Sequence, residues 1–509
     1  MFSKVSTCAL NGLDGYHVQV EADISNGIPA FDIVGLAGTP VKEARERVKA
    51  AINNSGFKFP MKRITINLAP ADTRKDGSGF DLPVALGVLI CAGEIPQNAL
   101  DDYMVIGELA LDGSIRHCSG MLCKAIATKD LGFKKLMVPF DNYKEVSVVK
   151  DIELYPVKML NDAIDHFRGI NPINVEASKE VFVSNQIVYQ HDFADVKGQK
   201  NAKRALEVAA SGGHNLVMIG SPGSGKTMLA RRLPSILPNL TFDESLEVTK
   251  IYSVLGLMPQ DSPIITERPF RAPHHTVSAV SLVGGGSHPK PGEVSLAHHG
   301  VLFLDEIPEF PRRNLDVLRQ PIEDGIANIS RINASVTYPC RFMLVAAANP
   351  CKCGYYGDPT RKCNCTFKDA ENYLARLSGP LMDRIDIHIQ VPALKYVEIE
   401  NERTEESSEK IRKRVNRARK IQQKRYKQSG IYCNAHLNGS MIREFCKLDN
   451  NGKKVLRAAF DKLNLSARAH DRILKVARTI ADIEQSETIL SRHISEAIQY
   501  RALDRTMRG

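Results

Sequence analysis

Over the first 170 residues, short runs alternate apolar and polar positions, as in Tyr16–Ala22 and Arg63–Leu68, while Lys42–Ser55 carries apolar residues at helical spacing. This mixture predicts an α/β domain over 1–170. The stretch that follows is polar and then strand-like, so 171–194 reads as a linker. From Val196 the pattern changes. The apolar run "NLVMIG" (215–220) leads into a glycine-rich turn and then the helical "KTMLARRLPSIL" (226–237). Two further strand-like runs follow, "GVLFLDEI" (300–307) and "RFMLVAAANP" (341–350). Strands that are apolar throughout, separated by helices, predict a parallel sheet covered on both faces. We therefore expect an α/β core over 195–395. Beyond Pro392, residues 398–410 hold six glutamates, and residues 411–430 hold nine Lys/Arg and no acid. The tail is helical by period, for example "ILKVARTIADI" (473–483), so 396–509 is expected to be a helical lid domain.

At 509 residues the chain exceeds one core, and 43% apolar with 25% charged residues suits a soluble globular protein. No stretch approaches the ~18–20 consecutive apolar residues that span a bilayer. The first residues lack the apolar run of a secretory signal, which gives a cytoplasmic expectation and no membrane partner. The formal charge of +10 permits a polyanionic partner without choosing among nucleic acid, membrane and acidic protein.

The strongest local chemistry is "GSPGSGKT", Gly220, Ser221, Pro222, Gly223, Ser224, Gly225, Lys226 and Thr227, between a strand and a helix. Glycines let successive backbone N–H groups face a phosphate, and the helix N-terminus adds its dipole. Lys226 would reach the β- and γ-phosphates of ATP, and Thr227 would ligate Mg²⁺. In "VLFLDE", Asp305 would hold the same Mg²⁺ through water, and Glu306 would orient and polarise the attacking water. Asn349, at the end of the next strand, could hydrogen-bond that water or the γ-phosphate. Arg376 and Arg384 in "RLSGPLMDRIDI" could serve a neighbouring subunit's phosphoryl group, or form structural ion pairs with Asp383 or Asp386. Arg468 and Arg472, four apart on one helix face, could close over the γ-phosphate from the lid, or be a solvated basic face.

Directly after Asn349, Cys351, Cys353, Cys363 and Cys365 are spaced CxC-x9-CxC. Four thiolates can close a tetrahedral structural Zn²⁺ site that staples a loop without its own core; reduced thiols or a redox pair are the alternatives. The other seven cysteines are scattered and read as buried small hydrophobes. Two inserts are candidate DNA-contacting pore loops: 272–295, with His274, His275, His288 and Lys290, and the hairpin-like 325–342, with Arg331 near its tip. Such residues would touch phosphates without reading sequence. His274 and His275 could equally hold the insert against the core. The basic run 411–430 reads as a solvated helix face.

These motifs, in this order, resemble the magnesium-chelatase-like AAA+ ATPases. "RPFRAPHHTVSAVSLVGGGSHPKPGEVSLAHHGVLFLDEIPEF" (268–310), "FDIVGLAGTPVKEARERVKAAINNSGFKFPMKRITINLAPAD" (31–72) and "FDLPVALGVL" (80–89) resemble the ComM/YifB family over nearly the whole chain. The resemblance implies a homo-hexameric ring and a first domain with the fold of the Lon proteolytic domain, a ribosomal-S5-domain-2-like α/β fold. It also implies DNA branch migration in natural transformation, with recombination or transformation proteins as partners. In "KDGSGFDLP" (75–83), Ser78 is available, but Gly79-Phe80-Asp81 falls where Lon's nucleophile and its small neighbours belong. In "GELALDGSIRHCSGMLCKA" (107–125), the base position falls on Leu122. Lys124, two residues on, would be turned away by about 200°. The first domain is therefore expected to lack the protease dyad. The whole reads as a Mg²⁺-dependent ATPase, a ring motor on single-stranded, duplex or branched DNA. A protein-remodelling ATPase is the alternative. Tetrapyrrole metal insertion is a weaker one, opposed by the fused first domain and the cysteine cluster.

Overall fold

The computed structural model describes residues 1–175, 189–394 and 405–501, apart from residues 76, 78, 260, 261, 287, 288, 332, 333, 359, 360 and 464. Ser78, His288 and most of the expected linker lie outside the described residues. The chain forms two compact units, residues 1–185 with 242–265, and residues 186–241 with 266–509.

The first unit is built on a seven-stranded mixed sheet. Its strands are β1 (Phe2–Asn11), β2 (Asp14–Ser25), β3 (Ala30–Val34), β4 (Arg63–Ala69), β5 (Tyr103–Val105), β6 (Lys135–Pro139) and β7 (Glu153–Val157), in the order β3-β4-β2-β1-β5-β6-β7. β1 and β2 form a hairpin, paired from Phe2↔Asp23 to Asn11↔Asp14. Alternation along β2 sends Val18, Val20, Ala22 and Ile24 into the core. The helix Asp81–Cys91 is buried at every position against this sheet. Its Asp81 is neutralised by Arg47 at 2.7 Å and accepts the Leu109 N–H at 3.2 Å, so the buried charge is paired and hydrogen-bonded.

Two expectations change in this unit. Residues 242–265 were expected within the 195–395 core, but they join the first unit instead. Leu246 of the helix Phe242–Leu255, and Ile264 beyond it, pack with Met121 and Leu122, and the Ser253 carbonyl accepts the Gly120 N–H at 2.9 Å. Lys124 was expected to be turned away from the Gly79 segment, but it is not. A side chain at Gly79 would begin 3.2 Å from the Lys124 amine, beside Ile106 and Cys118. Flexible side-chain torsions bring the amine round although its Cα is displaced by two positions. Leu122 is fully buried, and its N–H donates to Glu145 at 3.1 Å. The amine thus lies beside Gly79, a position without a side chain.

The second unit centres on a parallel sheet of β8 (Leu216–Ile219), β9 (Phe270–Arg271), β10 (Val301–Leu304), β11 (Met343–Ala348) and β12 (Ile387–Gln390), in the order β9-β10-β11-β8-β12. The wholly apolar runs still obey the two-residue period. Leu216, Met218, Val301 and Phe303 join one core, with the helix Lys200–Gly212 and the C-terminal helices. Val217, Ile219, Leu302 and Leu304 join the core on the other face. The lid helices are Ser408–Arg425, Gly439–Phe445, Asn450–Leu463, Ala467–Ile483 and Ser491–Gln499.

A buried polar chain joins lid to sheet. Asp386, at the start of β12, accepts from Arg472 and lies 3.0 Å from His214 Nδ1, while His214 Nε2 lies 2.7 Å from Thr479 Oγ1. Asn434 donates to both Thr479 and Asp482 at 2.9 Å. Burial opposes ionisation of Asp386, but the Arg472 guanidinium and the His214 contact outweigh it and hold its carboxyl below the usual range. A depressed carboxylate contributes stability above its unfolded pKa, near ~4, and that contribution is lost as pH falls. Asp386→Asn is expected to lower stability at pH 7 by about 3 kcal/mol in denaturant unfolding, by leaving the half-buried Arg472 guanidinium without its carboxylate. The gap to the parent chain should narrow on acidification; a pH-independent gap would assign the loss to packing.

Candidate nucleotide-binding site

Four chain segments converge at the C-terminal edge of the parallel sheet. β8 runs in register between β11 and β12, pairing Ile219 with Ala348 and with Gln390, so the turn after Ile219 emerges beside Asn349. Gly220 is required there by close approach, since a Cβ would lie 2.2 Å from the Val391 carbonyl oxygen. Gly223 and Gly225 take φ of +78° and +94°, the left-handed values that fold the loop back onto the helix Lys226–Arg232. Lys226 Nζ donates to the carbonyls of Gly220 (2.7 Å) and Ser221 (2.9 Å), and to Asn349 Oδ1 at 3.3 Å. Burial pushes the Lys226 ammonium below its ordinary pKa, and Asp305 and Glu306 oppose that. Thr227 Oγ1 donates to Asp305 Oδ2 at 2.7 Å, and the other Asp305 oxygen accepts the Glu306 N–H at 3.0 Å. Glu306 is exposed, with φ +49°, which turns it out of the strand line beyond β10. One amine, one hydroxyl, one amide and two carboxylates thus meet beside the glycine-rich loop. The set fits a triphosphate with a hard divalent cation.

The four arginines end on carboxylates. Arg376 lies 3.5 Å from Glu309, Arg384 pairs with Glu323, Arg468 lies 3.8 Å from Asp383, and Arg472 pairs with Asp386. The ion-pair alternative for Arg376 and Arg384 is realised, with partners other than Asp383 and Asp386. Arg468 and Arg472 do not close over this chain's own loop. Asp386 precedes β12, and its N–H donates to the carbonyl of Asn215, just before β8. That edge is a whole strand, roughly 13 Å, from Gly220. The lid helix is anchored there by the buried chain around His214, so its arginines face the opposite sheet edge.

The two inserts are brought together. The hairpin pairs Ile326 to Pro339 and Arg331 to Ala334, and Tyr338 donates to the Pro289 carbonyl at 2.8 Å. Gly284 (φ +115°) has no room for a side chain, since Ile329 and Lys290 would each lie 2.5 Å from its Cβ. Arg331 and Lys290 are exposed. The rings of His274 and His275 lie 4.0 Å apart, and His274 Nδ1 lies 2.9 Å from Thr276 Oγ1.

All four Sγ atoms of Cys351, Cys353, Cys363 and Cys365 lie within 4.8 Å of one another. Cys351 lies 3.3 Å from Cys353 and 3.8 Å from Cys363. A tetrahedral site with Zn–S bonds of about 2.3 Å needs S···S separations near ~3.8 Å, and these thiols fit it with small adjustment. Gly354 (φ +89°) leans on the phosphate loop; a Cβ there would lie 2.6 Å from the Pro222 ring. A cavity of about 460 Å³ adjoins this contact, bounded by Gly220, Ser221, Pro350, Tyr356, Phe367 and Pro392.

Some supporting residues have no motif. Gln199 (φ +53°) donates to the carbonyls of Ser224 (3.3 Å) and Pro392 (2.7 Å), bracing the loop from behind. Asn215 accepts the Leu344 N–H at 2.8 Å and donates to the Arg384 carbonyl at 3.1 Å, tying strand starts together. A polar pair before an apolar strand, "HN" at 214–215, is the only sequence signal for the second.

Three family profiles tile the chain: "Magnesium chelatase, subunit ChlI" over residues 192–399, "Subunit ChlI of Mg-chelatase" over 20–142, and the ChlI C-terminal region over 405–501. The protein YifB of Escherichia coli K12 is 44% identical over 511 residues, covering 99% of this chain and 98% of its own. Competence protein ComM of Haemophilus influenzae is 43% identical, covering 97% and 96%. A Lon protease of Buchnera aphidicola is 23% identical over 174 residues, 32% of this chain and 22% of its own. With the glycine-rich loop, an acidic strand end and Asn349 meeting on one parallel sheet, and full-length likeness to both proteins, the chain belongs to the ComM/YifB family of magnesium-chelatase-like AAA+ ATPases.

Proposed function

We propose that this chain is a Mg²⁺-dependent ATP hydrolase that assembles as a homo-hexameric ring and drives movement along DNA, most directly of branch points. The observation that carries the hydrolase reading is the meeting of Lys226, Asn349, Thr227, Asp305 and Glu306 at one sheet edge. Lys226 occupies its own loop's carbonyls and would exchange them for phosphate oxygens. Thr227 and Asp305, already joined, would hold Mg²⁺ between them. That cation supplies charge neutralisation on the phosphates. Glu306, turned outward, would orient a water and accept its proton. Asn349 would exchange Lys226 for the γ-phosphate or that water.

The ring reading draws on the arginines. Arg384, Arg468 and Arg472 gather at the sheet edge opposite their own loop, so a phosphate they stabilise would belong to a neighbouring subunit. Arg376, held at Glu309 three residues past Glu306, would act at the loop's own sheet edge. The DNA reading draws on the name of the Haemophilus relative, a competence protein, on the formal charge, and on the paired inserts that expose Lys290 and Arg331. His274 and His275, stacked on each other, would brace that pair and remain within reach of a phosphate. The cysteine loop would hold a structural Zn²⁺ on Cys351, Cys353, Cys363 and Cys365, steadying both Asn349 and Pro222.

Glu306→Gln should retain nucleotide binding and lose about 10²–10⁴ in turnover, the usual weight of a general base. Steady-state phosphate release with fluorescent-nucleotide titration checks this; an unchanged rate would remove Glu306 from the chemistry. Arg331→Ala should lower hydrolysis in the presence of four-way-junction DNA several-fold. Equal losses with and without DNA would make the hairpin structural, and stimulation of the parent chain by unfolded protein alone would reject the DNA reading. Metal analysis of purified protein should find one zinc per chain, lost in Cys363→Ser; a metal-free parent would leave the thiols uncoordinated.

A further inference from the structure

The lid helix Ser408–Arg425 carries nine basic residues and one acidic one, and the structure sorts them by direction. Its apolar side, Ile411 and Val415, is buried in the core shared with the sheet. Around that side, four arginines are engaged. Arg414 pairs with Glu207 and Glu406, Arg425 with Asp482 at 2.6 Å, Arg419 donates to the Ala210 carbonyl at 3.0 Å, and Arg412 lies over Tyr189. The remaining cations are Lys410, Lys413, Arg417, Lys420 and Lys424, and all five are exposed. At 100° per residue they fall within a sector of about 80°, opposite the buried side. Every position of the helix in that sector is cationic. Among the described residues, Lys413 of the five has a carboxylate at hydrogen-bond distance, Glu409 at 2.7 Å, itself 65% exposed. Lys427, exposed in the turn that follows, lies just beyond the end of the row.

We propose that this row is a second nucleic-acid contact of the protein, taking the phosphate backbone of duplex DNA outside the paired inserts; it rests on the reading that the chain acts on DNA. The row steps at three and four residues, so a cation recurs about every 5 Å over roughly 21 Å of straight helix. A rigid rod of regularly spaced cations complements a rod of regularly spaced phosphates, and gives sequence-independent binding by counterion release. The inward arginines explain why the outward residues are free to do this: the fold's own electrostatic needs on this helix are met by a separate set. A membrane surface is the poorer match. A helix that lies on a bilayer inserts its apolar face, and this apolar face is already spent inside the lid.

The test is binding of a fluorescently labelled duplex of arbitrary sequence to the full-length chain, followed by anisotropy from about 50 to 200 mM salt. The charge-reversed Arg417→Glu/Lys420→Glu/Lys424→Glu chain should bind at least about ten-fold more weakly. Its plot of log affinity against log salt should be shallower by about 2–3, close to 0.9 per phosphate contact removed. The neutral Arg417→Gln/Lys420→Gln/Lys424→Gln chain should show a smaller loss in the same direction, with the parent's melting temperature, so that misfolding of the first variant cannot mimic the result. If the parent binds duplex and both variants match it in affinity and slope, the row is a solvated face and the proposal falls alone. If the parent binds no nucleic acid, the DNA reading falls and takes this proposal with it. Retention on phosphatidylserine vesicles that the variants lose, with duplex binding unchanged, assigns the row to a membrane and overturns the proposal.

Discussion

The second unit depends on one backbone constraint, the in-register parallel pairing of Leu216–Ile219 between two neighbours. Ile219 gives its carbonyl to the Val391 N–H at 2.8 Å, and the Gly220 N–H reaches the Ala348 carbonyl at 3.2 Å. Those bonds draw three strand ends so close that no Cβ fits at position 220. Once the ends are level, the loop, Asn349 and the Asp305–Glu306 turn need no further guidance to meet. Parallel strands deliver their C-terminal ends to the same edge, and that is where a ligand can be gripped by residues distant in sequence.

The opposite edge of the same sheet is where the lid is fastened. Asp386, His214, Arg472, Thr479 and Asn434 form a buried chain of paired polar groups, and such a chain fixes one geometry because any slip leaves a charge or donor unmet. Recognition at one edge and anchorage at the other divide the work of a small sheet. The first unit shows a different economy. Its sheet and its buried helix bring the Lys124 amine to Gly79, a position without a side chain. A core of this kind is stable whatever stands at that position, because the packed residues and the residues around Gly79 are different ones.

The legible part of this sequence was the part written in local spacing. The loop Gly220–Thr227, Asp305 and Glu306 sit at strand ends, where an apolar run stops and a polar residue must begin, and the structure places them together. The two-residue period within wholly apolar strands was hidden by their uniform composition, yet it decides which residues face the lid. Contacts between distant segments were not legible. Nothing near Arg472 in sequence names Asp386 as its partner, nor does anything in 242–265 announce that it packs with Met121 and Leu122. Lys124 misled for a related reason: helical rotation fixes where Cα and Cβ point, whereas a lysine amine lies four bonds beyond Cβ and can swing back to the site. The lid's basic run was read as a solvated face from composition alone. Which of its cations are engaged and which are exposed follows only from packing.

Gly354 rests against the Pro222 ring, so the thiol-bearing loop and the phosphate cradle share a wall. The consequence concerns chemical stress. Oxidants attack thiols, and here the thiols sit one side chain away from the backbone of the Gly220–Thr227 loop. Damage to the cysteines would reach the Gly220–Thr227 loop through this contact without touching Lys226 or Glu306.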